Sequence, residues 1–274
     1  MNTVFPVSSR SPALVGQTAA TLQEASSGRY RLGLGTSSPT VVENWHGTAF
    51  EPALRRLREY IDIVRLVVRG EPLEYDGEVF DLSGFRLRCD PPETPPPVDA
   101  ATIGPKAAEL TGRFADGWQA VAHTPEGFKR RLDHLRRGVD LGGRSIEDVR
   151  VMLTKTCCVL KDAGRARDLA AQHVAFYVGG MGEYYRDALA RAGYDRLARS
   201  IYDSWGADDR ERAVELVKEE LLEYAVVGAP ETAHDRFETL RSRDAVDAFC
   251  VVFPRGASRS DIRETTENIA AYID

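Results

Sequence analysis

Short apolar stretches alternate with amphipathic stretches along most of this 274-residue chain. Apolar side chains recur every three or four residues over 50–69, a spacing that predicts a helix with one buried face. A helix is also predicted over 12–25, where Ser11 serves as the N-cap and Pro12 occupies the first turn. Continuous or alternating apolar runs predict strands at 3–7, 30–35, 98–102, 117–122, 149–160 and 247–253.

Strands that alternate with helices in this way favour a parallel sheet with helical crossovers, as in an α/β barrel. A closed (β/α)8 TIM-type barrel needs eight strands, and only six are predicted here. Each βα unit takes roughly 30 residues, so the pattern is that of a barrel missing its first two βα units. Either the chain is truncated there, or its start codon lies inside a longer gene.

Two segments interrupt the predicted barrel, which otherwise forms one domain over 1–274. Residues 71–88 alternate around Asp76-Gly77 and predict an inserted β-hairpin. Residues 163–223 are almost wholly helical and form a helical insertion before the last strand, broken by a glycine-rich turn at 179–182.

Composition narrows the class of protein. The net charge is −6 and no basic run is present, which makes nucleic acid an unsuitable partner. No apolar window reaches the roughly 18 residues of a membrane span, and the N-terminal residues do not resemble a secretory signal. None of the four cysteines forms a Cys-x-x-Cys pair, so we expect a cytoplasmic protein with reduced, buried thiols at Cys89, Cys157, Cys158 and Cys250.

The first stretch that could form a functional site is TIGPK, residues 102–106, at the end of a predicted strand. Gly104 makes the turn and Pro105 opens a helix, so the free N–H groups of that helix start could bind a phosphate. Lys106 would add a positive charge. The alternative is an ordinary turn between a strand and a helix, where Gly-Pro is common.

The second stretch, residues 32–47, places hydroxyl groups directly after a strand. Thr36, Ser37 and Ser38 would lie at the mouth of a barrel, where such folds carry their active sites. Glu43 and His46 follow in the same loop, as candidates for acid–base work or for bracing and capping the loop.

The third stretch covers 175–194 and contains Gly179, Gly180 and Gly182. These glycines would let the backbone approach a ligand closely, or they would form a packed corner between two helices. Signatures of other classes are absent: the sequence has no Gly-x-Ser-x-Gly elbow, no Walker loop and no zinc-type histidine spacing. Metal ligands are therefore not predicted.

Together these stretches resemble one family, the luciferase-like monooxygenases. SPALVGQTAATLQEASSGRYRLGLGTSSP is similar to the segment from the third helix to the fourth strand of that family, and GPKAAELTGRFADGW is similar to its cofactor-phosphate turn. GTSSPTVVENWHG and AFYVGGMG resemble the branch that uses the deazaflavin coenzyme F420. VGAPETAHDRFETL resembles the late capping helix of the family.

The resemblance implies which residues hold the cofactor. Asn2-Thr3 falls where the family often has a non-prolyl cis peptide that backs the deazaflavin ring. Thr36 and Ser38 would line the cofactor or substrate, and Gly179 and Gly180 would shape a wall near the cofactor tail. The phosphate would be held by backbone N–H groups of Thr102, Ile103 and Gly104.

The resemblance has two departures. The family residues near the reactive ring carbon belong to the two absent units, so no catalytic residue can be carried over beyond the candidates Glu43 and His46. Asp99 stands where the family has a bulky apolar residue, and a buried carboxylate needs a partner that the sequence does not identify.

The predicted function is hydride transfer between F420 and a small organic substrate. One alternative keeps the fold but uses FMN and dioxygen, as a flavin monooxygenase. Another is a non-catalytic truncated barrel that acts as a binding protein. A barrel with open sheet edges could be closed by a second copy, which suggests a homodimer.

Overall fold

The computed structural model describes residues 1–121, 124–217, 219–222, 225–241 and 245–272. The last residue of the predicted 117–122 strand and parts of the 163–223 segment lie outside these ranges. The strands are β1 (Phe5–Pro6), β2 (Leu32–Gly35), β3 (Leu73–Asp76), β4 (Asp81–Phe85), β5 (Val98–Ala101), β6 (Gly117–Val121), β7 (Arg150–Val159), β8 (Val226–Gly228) and β9 (Ala248–Val252).

The α-helices follow the sequence pattern closely. They are α1 (Pro12–Ala25), α2 (Ala53–Val68), α3 (Pro105–Phe114), α4 (Pro125–Leu141), α5 (Ala163–Gly180), α6 (Glu183–Leu189), α7 (Asp195–Gly206), α8 (Arg210–Glu215), α9 (Glu219–Leu222), α10 (Pro230–Arg241) and α11 (Arg259–Ala270). The N-cap prediction for α1 is confirmed, because Ser11 Oγ accepts the N–H of Leu14 at 3.3 Å. In the described residues, no helix is long and apolar enough to cross a membrane.

The first compact unit comprises Met1–Gln119 and Leu132–Arg150. It contains the parallel strands β1, β2 and β5 and the first residues of β6, which pair in that order. Leu32 and Leu34 of β2 point to the same side as Val98 and Ala100 of β5, and this side packs against α1 and α2 in one apolar core. The opposite side of the strands therefore carries the alternate residues, which include Gly33, Gly35 and Asp99.

The second compact unit comprises Ala120–Arg131 and Val151–Asp274. β8 pairs with the C-terminal half of β7 and β9 pairs with its N-terminal half, both in parallel. The sequence count of six strands omitted β8, because three residues are too few to show a strand pattern. Helices α5, α7 and α8 bury a common apolar core within the segment predicted as a helical insertion, whose status as an insertion stays a prediction.

Strands β3 and β4 form the predicted hairpin, but its loop is not the tight two-residue turn that Asp76-Gly77 suggests. Asp76 pairs with Asp81, so the loop spans four residues. Glu59 explains the difference. Its buried carboxylate accepts the N–H groups of Glu78, Val79 and Phe80, each at 3.0 Å, and these bonds fix the wider loop.

The prediction of four buried thiols is wrong for one of them. Cys157 and Cys158 are buried in β7 and Cys250 is half-buried in β9, but Cys89 is exposed. Cys89 follows β4 in the irregular segment that leads to β5, where no sheet neighbour covers it. All four thiols are free, as predicted.

Candidate functional site

Two glycines, Gly33 and Gly35, lie on the side of β2 that faces away from the apolar core with α1 and α2. A Cβ atom on Gly33 would lie 2.4 Å from both the carbonyl oxygen of Asn2 and Nε2 of Gln119. A Cβ atom on Gly35 would lie 2.9 Å from a methyl group of Val4. These close approaches require glycine, because Asn2, Val4 and Gln119 lie directly against this side of β2.

Asn2 is bound to β2 through its side chain. Its Nδ2 donates to the carbonyl oxygen of Gly33 at 2.7 Å, and its Oδ1 accepts the N–H of Gly33 at 3.0 Å. The non-prolyl cis bond joins Thr3 to Val4, so its prediction at Asn2-Thr3 is wrong by one residue. The chain joins β2 first through the Asn2 side chain and only later through its backbone, an offset that no local sequence signal encodes.

Asp99 has the partner that the sequence did not reveal. Arg31 donates from Nε to Oδ2 at 3.0 Å and from Nη2 to Oδ1 at 2.5 Å, and Nη2 also reaches the carbonyl oxygen of Asp116 at 3.2 Å. Burial raises the pKa of Asp99, and the hydrogen bonds from Arg31 oppose that shift. Gly117 makes room for the pair, because a Cβ there would lie 2.2 Å from Oδ1.

The predicted phosphate turn has an open helix start. Gly104 is the N-cap of α3, no side chain of the described residues caps it, and no described atom lies within 4 Å of the position of an added Cβ. Thr102 is fixed instead of free: its hydroxyl shares a 2.9 Å hydrogen bond with Thr111 and its carbonyl oxygen accepts Nε1 of Trp118 at 3.2 Å. Ile103 is half-buried. The uncapped N–H groups of α3 suit an anion.

The loop after β2 divides the other candidates into buried and exposed groups. Ser38 is buried and its Oγ accepts the N–H of Val41 at 3.4 Å, whereas Thr36 is half-buried. A π-helical segment, Thr40–Trp45, follows. Glu43 accepts the N–H of Phe50 at 3.4 Å, which favours the bracing role for this residue, and His46 is exposed at the end of the segment.

Gly179 and Gly180 belong to the second compact unit, in the last turn of α5. A Cβ on Gly179 would lie 2.4 Å from Cβ of Trp205, and one on Gly180 would lie 2.9 Å from the indole Nε1. The contacts are those of a packed helix–helix corner, the alternative that the sequence left open. Gly182, at φ +87°, makes the turn into α6.

His173 is a buried titratable group in the second unit that the sequence did not single out. Its Nδ1 accepts the N–H of Arg255 at 3.1 Å, and its ring lies 4.7 Å from that of Tyr177. Burial lowers the pKa of His173 to about 4, so the imidazole is neutral near pH 7. The described residues contain no cluster of His, Cys, Asp and Glu side chains that could hold a metal ion.

The pKa of His173 predicts an acid-sensitive fold. The unfolded chain binds a proton on this residue near pH 6.5 but the folded chain does not until about pH 4, so stability falls as the pH falls through this window. The loss reaches up to about 3 kcal/mol. Chemical denaturation at pH 7, 5.5 and 4 should show a smaller acid loss for His173→Gln, which keeps an acceptor but does not titrate. An equal loss in both proteins would exclude His173 as the cause.

Three side chains around Gly33 were not predicted from the sequence as parts of the site: those of Tyr30, Gln119 and Asn2. Gln119 is 3% exposed on β6, and a lone amide in a buried strand was a signal available from GWQAV. Tyr30 and Asn2 gave no such signal, because their contact depends on the pairing of β1 with β2.

The parallel strands and the helices that connect them define a protein of the α/β class. The luciferase-like monooxygenase family profile matches residues 1–246. The chain therefore belongs to the luciferase-like monooxygenase family.

The chain is similar to several oxidoreductases, and some of them carry F420 in their names. A Mycobacterium tuberculosis protein assigned to the coenzyme F420-dependent oxidoreductases is 31% identical over 242 residues, which cover 82% of this chain and 70% of that protein. The 5,10-methylenetetrahydromethanopterin reductase of Archaeoglobus fulgidus is 28% identical over 233 residues, covering 84% and 69%. The structure of the coenzyme F420-dependent tetrahydromethanopterin reductase of Methanopyrus kandleri superposes with a TM-score of 0.80 at 22% identity, covering 98% and 82%, and supports the fold.

Proposed function

We propose that this chain is an oxidoreductase that moves a hydride between coenzyme F420 and a small organic substrate. The observation that carries the proposal is the open, uncapped start of α3, in the same compact unit as the exposed Thr3. Relatives with F420-dependent names, an oxidoreductase and a glucose-6-phosphate dehydrogenase, support the choice of cofactor.

The residues of the first unit fit such a cofactor. The N–H groups at the start of α3, after Gly104, would hold the phosphate, and the exposed Lys106 would add a charge. Thr102 and Ile103 would shape this turn, the first through its hydroxyl bond to Thr111. The ring would lie against Thr3, which is exposed next to the residues that cover Gly33 and Gly35.

When bound, the deazaflavin supplies a ring carbon that accepts or donates a hydride. The protein would contribute position: the chain at Thr3 would fix one face of the ring, and Thr36 and Ser38 follow directly after β2. The roles of Glu43 and His46 in proton transfer stay predictions. Glu43 already accepts a hydrogen bond from Phe50, and His46 is exposed. Gly179 and Gly180 as a wall for the cofactor tail likewise stay predictions.

The proposed cofactor is tested by titrating the purified chain with F420 and, in parallel, with FMN, following fluorescence. Selective binding of F420 supports the proposal. Selective binding of FMN would replace it by a flavin monooxygenase. Binding of neither would leave a non-catalytic binding protein as the better description of this chain.

The phosphate turn is tested by Gly104→Asp, which should change stability and affinity in opposite directions. Aspartate is a good N-cap, so the new side chain should bind the free N–H groups of α3 and leave the melting temperature equal or higher. The same side chain would occupy and repel a phosphate, so F420 affinity should fall about 10-fold or more.

Two controls sharpen this test. Binding of a deazaflavin riboside without a phosphate should be unaffected by Gly104→Asp, because the ring contacts are intact. Gly104→Ala adds neither a cap nor a charge and should lie between the wild type and Gly104→Asp in F420 affinity. Unchanged F420 binding in Gly104→Asp would place the phosphate elsewhere.

We further propose a cytoplasmic location, which the four free thiols support. The partner is the small-molecule substrate, and no contact with nucleic acid or membrane is proposed. Homodimer formation stays a prediction, and sedimentation of the purified chain would test it.

A further inference from the structure

We infer that Asn2 is a positioning residue: its carboxamide replaces the backbone in pairing with Gly33 and thereby leaves Thr3 available to contact the deazaflavin ring. This inference rests on the proposed function and names how its ring site is built. It has three requirements. The Asn2 side chain must make the hydrogen bonds that a paired backbone residue would make, and its orientation must be fixed. Thr3 must be held in place by the residues before and after it.

The Asn2 side chain pairs with Gly33 through two hydrogen bonds, as a backbone residue would. A backbone residue in a sheet offers one N–H donor and one C=O acceptor, and a carboxamide offers the same pair. Asn2 uses both on one residue, donating to the Gly33 carbonyl oxygen at 2.7 Å and accepting the Gly33 N–H at 3.0 Å. The side chain thus extends the pairing of β2 in front of β1.

The orientation of the carboxamide is fixed by its neighbours. Tyr30 is 8% exposed and its hydroxyl donates to Oδ1 of Asn2 at 2.7 Å, so Oδ1 receives two donors and must be the oxygen. Gln119 approaches from β6, with its Nε2 3.5 Å from the backbone carbonyl oxygen of Asn2. Burial raises the pKa of Tyr30, which keeps the hydroxyl protonated as a donor.

Thr3 lies between two anchored points. Asn2 is anchored by its side chain, and backbone pairing with β2 begins at Phe5, which is opposite Leu34. In the described part of the chain, Thr3 itself is exposed and its backbone N–H and C=O groups have no partner. A segment clamped at both ends with free polar groups in the middle is preorganised for a ligand.

The test compares Asn2→Asp with Asn2→Ala and Tyr30→Phe. Aspartate has the same size but puts an oxygen against the Gly33 carbonyl oxygen. Alanine removes both side-chain hydrogen bonds to Gly33. Both variants should weaken binding of F420 and of the phosphate-free deazaflavin riboside by the same factor, about 10-fold or more. Tyr30→Phe removes one bond to Oδ1 and should weaken both by about 2- to 10-fold.

A structural role alone would change the melting temperature but not the ring environment, so the absorption maximum of bound deazaflavin is recorded as well. It should shift in both Asn2 variants. Tyr272→Phe removes a comparable hydroxyl bond, to Pro230 in the second unit, and should alter neither affinity nor spectrum. Adding Tyr30→Phe to Asn2→Ala should cost no further affinity, because the two act through one contact.

The outcomes separate this inference from the proposed function. If the wild type binds F420 and the folded variants bind both ligands with unchanged affinity and spectrum, Asn2 has no positioning role and the proposed function stands. If the wild type binds neither ligand, both fall together. If the Asn2 variants do not fold, Tyr30→Phe decides, since it removes only one bond.

Discussion

Replacing Arg31 by methionine is expected to lower the free energy of unfolding by about 3 to 5 kcal/mol, because Asp99 would remain buried without a partner. Asp99 is 0% exposed, and Arg31 supplies the two hydrogen bonds to its carboxylate. Methionine keeps most of the apolar length of the arginine, so the loss reports on the charge. Urea denaturation at pH 7 measures it.

The pH dependence identifies the buried carboxylate as the cause. Burial already raises the pKa of Asp99, and removing Arg31 raises it further. A raised pKa makes the folded state favour the protonated form, so the variant should regain stability relative to the wild type as the pH falls towards 4. Asp99→Asn in the Arg31→Met background removes the charge and should abolish this dependence. A loss below about 1 kcal/mol at pH 7 would show that water or another group compensates Asp99.

Substituting alanine for Gly138 is expected to destabilise the fold by about 3 kcal/mol, because no side chain fits where α3 meets α4. A Cβ on Gly138 would lie 2.0 Å from the carbonyl oxygen of Glu109, and one on Gly112 would lie 2.1 Å from that of Leu135. Both obstacles are backbone atoms of a helix, which cannot rotate away as a side chain would. Gly112→Ala should therefore have a similar effect.

Gly206→Ala is the matched control for the helix contact. Gly206 also lies in a helix, the last residue of α7, but no described atom lies within 4 Å of its added Cβ. Alanine there should leave stability unchanged or raise it by up to about 1 kcal/mol, through helix propensity. Thermal melts of the three variants measure whether the close approach of α3 and α4 stabilises the fold. An unchanged melting temperature for Gly138→Ala would contradict the prediction.

The sequence predicted the elements whose signals are local. The 12–25 helix matches α1 with its cap, and 50–69 contains α2, which begins only at Ala53 because Pro52 holds an extended conformation before it. The hairpin was predicted from alternation, whereas its wider loop depends on Glu59, nearly twenty positions earlier. β8 escaped because three residues carry no periodicity.

The parts of the candidate site that were predicted also have local sequence signals. The turn at Gly104 reads directly from a strand, a glycine and a proline, and the structure leaves its helix start open. Glu43 and the pair Gly179 and Gly180 were open between two roles, and their contacts with Phe50 and Trp205 favour the structural one.

The sequence by itself therefore determined the α/β class, the order of elements and the family, because periodicity, caps and motifs lie within short stretches of chain. Only the tertiary structure decided which polar groups meet. Arg31 and Asp99 are 68 positions apart, and Asn2 and Gly33 are 31 apart. Each pair is brought together by strand register, and register depends on the packing of whole strands against α1 and α2 and not on any residue near either partner.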